Sequence, residues 1–330
     1  ETNPSGNTPN INSTGFYWDG NFSNTSPASG TFIYIAIRRG PMKVPTDGTS
    51  VFSPNTATYS SNQVVTTGFP VDMLMMKGRT ITFGNLVYDR LRGLASTNTS
   101  PVDPQLLTSD SSAETSGDYV NTSNNTGYQI SGGFSGFSSV NWNFRRAPGF
   151  FDEVCYTGNG VDNSSWTHNL GVTPELIIVK NRSSSYGWTV YNATDGYTYS
   201  MYLNTTAART TSNQAWYAPT SSAFKTTDLL AVNGSGSTYV AYLFATCAGV
   251  SKVGSYTGNG TSQTINCGFA AGSRFILIKC TSTTGDWYVW DSARGIVSGN
   301  DPHLSLNTTA AEVTTDDSID PDSTLSLIHI

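Results

Sequence analysis

The sequence predicts an all-β protein built from tandem antiparallel β-sandwich or barrel-like repeats of about 100 residues. Three observations predict it. Apolar stretches alternate or run for only a few residues, which is the period and length of strands rather than helices. Gly, Asn, Ser and Thr are abundant while charged residues make up only 12%, a composition suited to short strands and tight turns. A set of motifs also returns at a spacing near 100. With 330 residues the chain exceeds what one core usually organises, so more than one unit is expected.

Residues 1–40 read as the C-terminal remnant of a preceding repeat. Their apolar stretch at 32–37 and the following Arg38, Arg39, Gly40 and Pro41 echo the strand at 140–144 with Arg145, Arg146, Ala147 and Pro148. The first full unit, 41–149, carries a strand ending in Lys77, a second at 86–89 and the closing strand at 140–144. The second unit, 150–249, has Tyr-Thr-Gly-Asn-Gly at 156–160, a strand ending in Lys180, an aromatic strand at 188–191, Asn-Thr-Thr-Ala-Ala at 204–208 and a closing strand at 239–244. The third, 250–330, repeats these at 256–260, Lys279, 287–291 and 307–311. A pseudo-threefold β-prism or propeller-like closure is the rival architecture, because periodicity does not set strand order.

The third unit reaches residue 330 without a closing strand, which predicts an unpaired edge and makes it the least stable unit. Its last six residues, 325–330, match the translation of a transposon adapter used in sequencing libraries, so His329 and its neighbours are expected to carry no function.

The net charge of -6 and pI near 4.9 disfavour a nucleic-acid partner. No apolar run approaches the roughly 20 residues that span a bilayer, so no membrane partner is expected. Cys155, Cys247, Cys267 and Cys280 lack metal-site spacing and read as small hydrophobes rather than disulfides.

His168, His303 and His329 have no neighbours at metal-ligand spacing, and no motif marks a nucleophile, so no catalytic residue, metal or cofactor is assigned. Asp152 with Glu153, and Asp291, are the acids that glycan cleavage could use. Asp291 with Arg294 recurs as Asp89 with Arg92, which favours a turn-closing hydrogen bond or surface ion pair. The string at 156–160 reads as a hairpin turn, since it lacks the Lys and helix of a phosphate loop. Trp166, Trp216 and Tyr217 fall in variable stretches between the repeated strands and are the candidate ligand contacts.

Through Tyr-Thr-Gly-Asn-Gly at 156–160 and 256–260, the segment 170–180, Asn-Thr-Thr-Ala-Ala at 204–208 and 307–311, and residues 144–149, the chain resembles a phage-associated repeat family of undefined function. That family is common in marine viral genomes and in predicted virion or tail-fibre proteins. The resemblance implies a non-enzymatic virion structural protein on the particle surface, a tail-fibre, decoration or host-recognition part. Its partners would be other virion proteins and host-surface glycans, and a fibre would be a homotrimer. The alternatives are a phage-tail glycan depolymerase and a secreted, extracellular bacterial adhesin.

Overall fold

Strands dominate because the apolar runs are short, rich in β-branched and aromatic residues, and bounded by Gly and Asn. The computed structural model describes residues 9–11, 16–18, 43–60, 62–94, 103–117, 119–131, 136–321 and 326–328. The strand expected at 32–37 lies outside them. Strands β1 (Pro9–Ile11) and β2 (Phe16–Trp18) form a two-stranded antiparallel ribbon.

The next region holds β3 (Phe52–Thr58), β4 (Val64–Thr66), β5 (Met73–Gly78), β6 (Leu86–Asp89), β7 (Asp103–Leu107), β8 (Thr115–Gly117), β9 (Val120–Asn124), β10 (Gly127–Ile130) and β11 (Ser138–Phe144). They build a large sheet of order β3-β11-β5-β6-β7-β8 and a small one, β4-β10-β9.

After it come β12 (Phe151–Thr157), β13 (Ser164–Thr167), β14 (Leu176–Asn181), β15 (Thr189–Asn192), β16 (Met201–Tyr202), β17 (Trp216–Tyr217), β18 (Ala223–Thr226), the single-turn helix α1 (Leu230–Asn233) and β19 (Thr238–Phe244). The large sheet is β12-β19-β14-β15-β16 and the small one β13-β18-β17. In both large sheets the last strand in sequence therefore stands between the first and the next long one.

The remainder contains β20 (Gln263–Ile265), β21 (Phe275–Lys279), β22 (Trp287–Asp291), β23 (Leu304–Ser305), β24 (Ile319–Pro321) and β25 (Ser326–Ile328). Their sheets are β21-β22-β23 and β20-β25-β24. The C-terminal stretch that matches an adapter translation thus contributes β25. Among the described residues every pairing is antiparallel and none of the sheets closes into a barrel, which is against the barrel-like option.

The cores follow from the period-two alternation of each strand. Met73 and Met75 of β5, with Val140, Trp142 and Phe144 of β11, point to a central cluster. Leu74 and Met76 point the other way, into a second cluster with Val65, Val120 and Tyr128 of the small sheet. In the second region Ile178, Val240 and Tyr242 join the central cluster, while Ile177, Val179, Ala241 and Leu243 pack under Trp216 and Phe224. Trp287, Val289, Leu304 and Leu306 complete the central cluster, so it draws side chains from all three large sheets. Strands buried on both faces read as continuous apolar runs, which is why these were the visible ones.

Polar contacts between the large sheets have the same form three times. The buried Lys77 ammonium donates to the Phe83 carbonyl at 3.5 Å and, on the third region, to that of Thr308 at 2.9 Å. Lys180 donates to Tyr186 O at 2.7 Å and, on the first region, to Ser111 O at 2.9 Å. Lys279 donates to Gly285 O at 2.7 Å and, on the second, to Thr206 O at 3.0 Å. Burial lowers the first two amines to about 8. A parallel set runs from Asn85 Nδ2 to Leu306 O, Trp188 Nε1 to Leu107 O and Trp287 Nε1 to Tyr202 O, at 2.5, 2.7 and 3.1 Å.

The string at 156–160 is not a hairpin turn. β12 and β13, on either side of it, belong to different sheets, so the chain turns a corner there. Gly158 N donates to Ser237 O at 2.8 Å, and Gly160 N to Asn233 O at 3.0 Å. A Cβ on Gly158 would stand 2.3 Å from the Gly234 carbonyl oxygen, so the close backbone approach is what demands glycine.

Candidate functional site

Aromatic side chains recognise ligands only through a face that reaches solvent, so the position of the three candidates in the small sheet β13-β18-β17 decides their use. Trp166 sits in β13 opposite Phe224. Its ring stacks on Tyr156 with centroids 4.2 Å apart, Tyr156 stacks in turn on Tyr239 at 5.0 Å, and Trp166 Nε1 donates to Thr226 Oγ1 at 2.9 Å. Trp216 begins β17 and is 1% exposed, packed edge-on against Tyr191 at 6.0 Å. Both candidate tryptophans are strand residues facing the core between the two sheets rather than exposed ligand contacts.

Tyr217 is the next residue along β17 and therefore points the other way, toward solvent, beside Lys225 of β18. Its hydroxyl donates to Asp162 Oδ2 at 2.7 Å, and that bond raises the phenol pKa. Val161, next to Asp162, is 58% exposed. Asn159 Oδ1 holds the approach loop by accepting from Val161 N and Ser164 Oγ at 2.9 and 2.8 Å. The result is a solvent-facing phenol whose hydroxyl is fixed on the Asp162 carboxylate, with Lys225 opposite it in the sheet.

The acids have other duties. Asp291 Oδ1 accepts from Ala293 N and Arg294 N at 3.0 Å each, and Oδ2 from Arg294 Nε at 2.6 Å and Trp142 Nε1 at 2.8 Å. Asp89 is used alike: Oδ1 takes Arg92 N at 2.8 Å, and Oδ2 takes Arg92 Nε and Tyr242 OH at 2.5 and 2.6 Å. All four of these Asp and Arg side chains are fully buried, so the pair is a turn closure as expected but not a surface one. Four donors on one carboxylate leave no lone pair for a substrate. Asn192 replaces the aspartate in the second region, with its Nδ2 on Asp195 Oδ2 at 2.7 Å.

Asp152 accepts from Arg146 Nε at 2.7 Å and Asn169 N at 2.6 Å. Glu153, its neighbour on the other face of β12, is buried with no hydrogen bond to either carboxyl oxygen. Burial, followed by the fields of Asp89 and Asp72, pushes its pKa well above the ordinary value, so it is held as the neutral acid. A folded-state pKa above the unfolded one gives stability that is complete below about pH 4.5 and lost as pH rises. Glu153→Gln, neutral at every pH, is therefore expected to gain on the wild type as pH rises from 4 to 8. Paired thermal melts across that range check it, and a Tm difference independent of pH contradicts it.

His168 Nδ1 accepts from Leu170 N at 3.2 Å, so Nε2 carries the proton and donates to Thr220 O at 3.2 Å. His303 packs against both Tyr288 and Trp290, and burial lowers the pKa of the His168 and His303 imidazoles. Among the described residues no three His, Cys, Asp or Glu side chains converge as metal ligands, and all four cysteines are free thiols.

A family model described as "Domain of unknown function (DUF7483)" matches residues 49–324. No curated protein and no solved structure matches the chain.

Proposed function

The chain belongs to the DUF7483 family, and we propose that it is a non-enzymatic structural module of a phage virion whose outer surface binds host glycans. In this reading three tandem units of about 100 residues close around one pseudo-threefold core, and the small sheets face outward. The observation that carries it is the cyclic hand-over of contacts: Lys77 to the third region, Lys180 to the first, Lys279 to the second. Such a body is a rigid scaffold, and its chemistry-bearing acids are consumed in holding it together. The virion assignment draws on the family resemblance of the motifs, and the glycan-binding role on the Tyr217, Asp162 and Lys225 surface.

Two measurements test the reading. Mass spectrometry of the corresponding virions is expected to contain this polypeptide, and a glycan array is expected to retain the purified protein. Tyr217→Ala should weaken the retained interaction about tenfold, while Tyr217→Phe, which keeps the ring, should weaken it less. Virions free of the polypeptide together with an array that retains nothing would sink the proposal. Reducing-sugar release from polysaccharide that is abolished by Asp291→Asn would replace it with a depolymerase.

A further inference from the structure

β3 and β12 open their large sheets in the same register. Phe52 pairs with Phe144 and Pro54 with Trp142, just as Phe151 pairs with Phe244 and Glu153 with Tyr242. The third residue of the opening strand is buried in both sheets, but it is a proline in the first and a glutamate in the second. The surroundings correspond as well. Trp142 reaches from β11 to the turn of Asp291 and Arg294, and Tyr242 from β19 to the turn of Asp89 and Arg92. An ionisable group thus stands in one of two like places, where the other holds an apolar ring.

Glu153 is 1% exposed, and neither of its carboxyl oxygens has a hydrogen-bond partner. Three carboxylates act on it: Asp89 and Asp72 from the first region, and Asp152 beside it in β12. Arg146 opposes them, but its Nε is already held by Asp152. The other acids are satisfied where they stand. Asp72 accepts from Arg146 N at 2.7 Å and pairs with Arg90 at 3.3 Å, while Asp89 is taken by Arg92 and Tyr242. Two further titratable groups reach Glu153, the Tyr242 phenol opposite it and the Cys155 thiol two residues on, and burial keeps both neutral.

We propose that Glu153 is a proton-operated latch between the first and second large sheets: as the neutral acid it lets them close, and as the carboxylate it parts them. A neutral carboxyl can stay among apolar and aromatic side chains, whereas an ionised one without donors cannot remain buried. On ionisation the new charge meets Asp89 and Asp72, which the first region supplies, so the repulsion acts across the seam between the sheets rather than within β12. Hydrating the carboxylate calls for the same movement. β12 is bonded to β19 from Phe151 to Thr157 and could leave its own sheet only by breaking that ladder.

The contacts that close this seam are those of Tyr242 with Asp89, Lys180 with Ser111 O, Trp188 Nε1 with Leu107 O, and Arg182 with Glu114. Tyr242 is the nearest of them to the latch, being the ladder partner of Glu153. The direction of the response follows from the raised proton affinity. Closure is complete below the unfolded carboxyl range and is lost as pH rises through the folded-state value. The seam that Trp142 makes with Asp291 has Pro54 at the matching place, so it supplies a comparison inside the same molecule.

Two readouts on the full chain test the latch, one for the proton and one for the seam. Infrared difference spectra are expected to show a protonated-carboxyl band that persists above the ordinary carboxylate range and is missing from Glu153→Gln. Hydrogen exchange, read by mass spectrometry and corrected for the intrinsic pH dependence of amide exchange, should rise at least about tenfold in peptides covering 86–92 and 151–157 as that band disappears. The peptide covering 287–294 should stay slow over the same interval. Glu153→Gln and Glu153→Met carry no charge at any pH, and both should hold the seam closed throughout. An equal rise in these variants assigns the opening to another group and overturns the proposal. Loss of the band without any rise in exchange overturns it as well, as does a Glu153 that is already ionised below pH 5. A rise that takes in 287–294 equally is unfolding of the whole chain, and it too removes the latch.

Discussion

Replacing Asp291 by alanine is expected to destabilise the protein by about 3–5 kcal/mol, the cost of breaking a buried ion pair by removing one partner. Arg294 is the charge left behind. Its Nε loses Asp291, while Nη1 on Glu312 at 3.2 Å and Nη2 on Val289 O at 2.8 Å keep the guanidinium inside, where neither the Asp nor the Arg side chain has any solvent contact. Trp142 Nε1, a donor from another sheet, loses its acceptor in the same step. Asp89→Ala should behave likewise through Arg92 and Tyr242. Asn192→Ala is the internal comparison: it removes a neutral amide whose partner Asp195 keeps its ion pair with Arg209, and about 1 kcal/mol or less is expected. Chemical denaturation of the three variants checks the ranking. A double variant Asp291→Ala with Arg294→Met should lose less than the sum of the two single losses, with a coupling above about 1 kcal/mol. Equal, small losses in Asp291→Ala and Asn192→Ala would return the aspartate to the list of functional acids.

The periodic strands were legible because most central strands are apolar on both faces. Met73 to Met76, Ile177 to Val179 and Tyr239 to Leu243 have no polar side and no Gly or Pro, so their type and limits follow from composition alone. The small sheets were not legible for the opposite reason. Ser164–Thr167 is mostly hydroxyl-bearing, Val64–Thr66 is only three residues long, and nothing in the alternation of either separates it from a loop. That omission misplaced the tryptophans: Trp216 belongs to a two-residue strand over a core that only the second sheet makes visible. The Asp–Arg pairs show a different limit. Their local spacing was readable, but their burial depends on Trp142 and Tyr242, which lie 149 and 153 residues away in sequence. Tyr217 stands out only after the structure has turned its neighbour inward.

Phe144→Ala should match or exceed Asp291→Ala, at about 3–5 kcal/mol, because one ring holds three sheets. Phe144 ends β11 and packs at centroid distances of 4.9 Å on Phe52 and 5.8 Å on each of Phe151, Phe244 and Phe275. Those partners belong to β3, β12, β19 and β21, so the cavity left by alanine opens between the large sheets rather than inside one of them. Dense interiors relax little around such a void, and each lost aromatic pair adds roughly 0.5–1.5 kcal/mol to the transfer cost. The location predicts the pattern as well as the size of the effect. Hydrogen exchange in Phe144→Ala should rise in β5, β14 and β21 together, since the central cluster is what they share. Phe224→Ala, in the core beneath the second small sheet, should raise exchange in β14 and β19 while leaving β5 slow. If Phe144→Ala instead loosens the first large sheet alone, the three sheets do not depend on a common core. The contacts that Lys77, Lys180 and Lys279 make between them would then be surface details of independent domains.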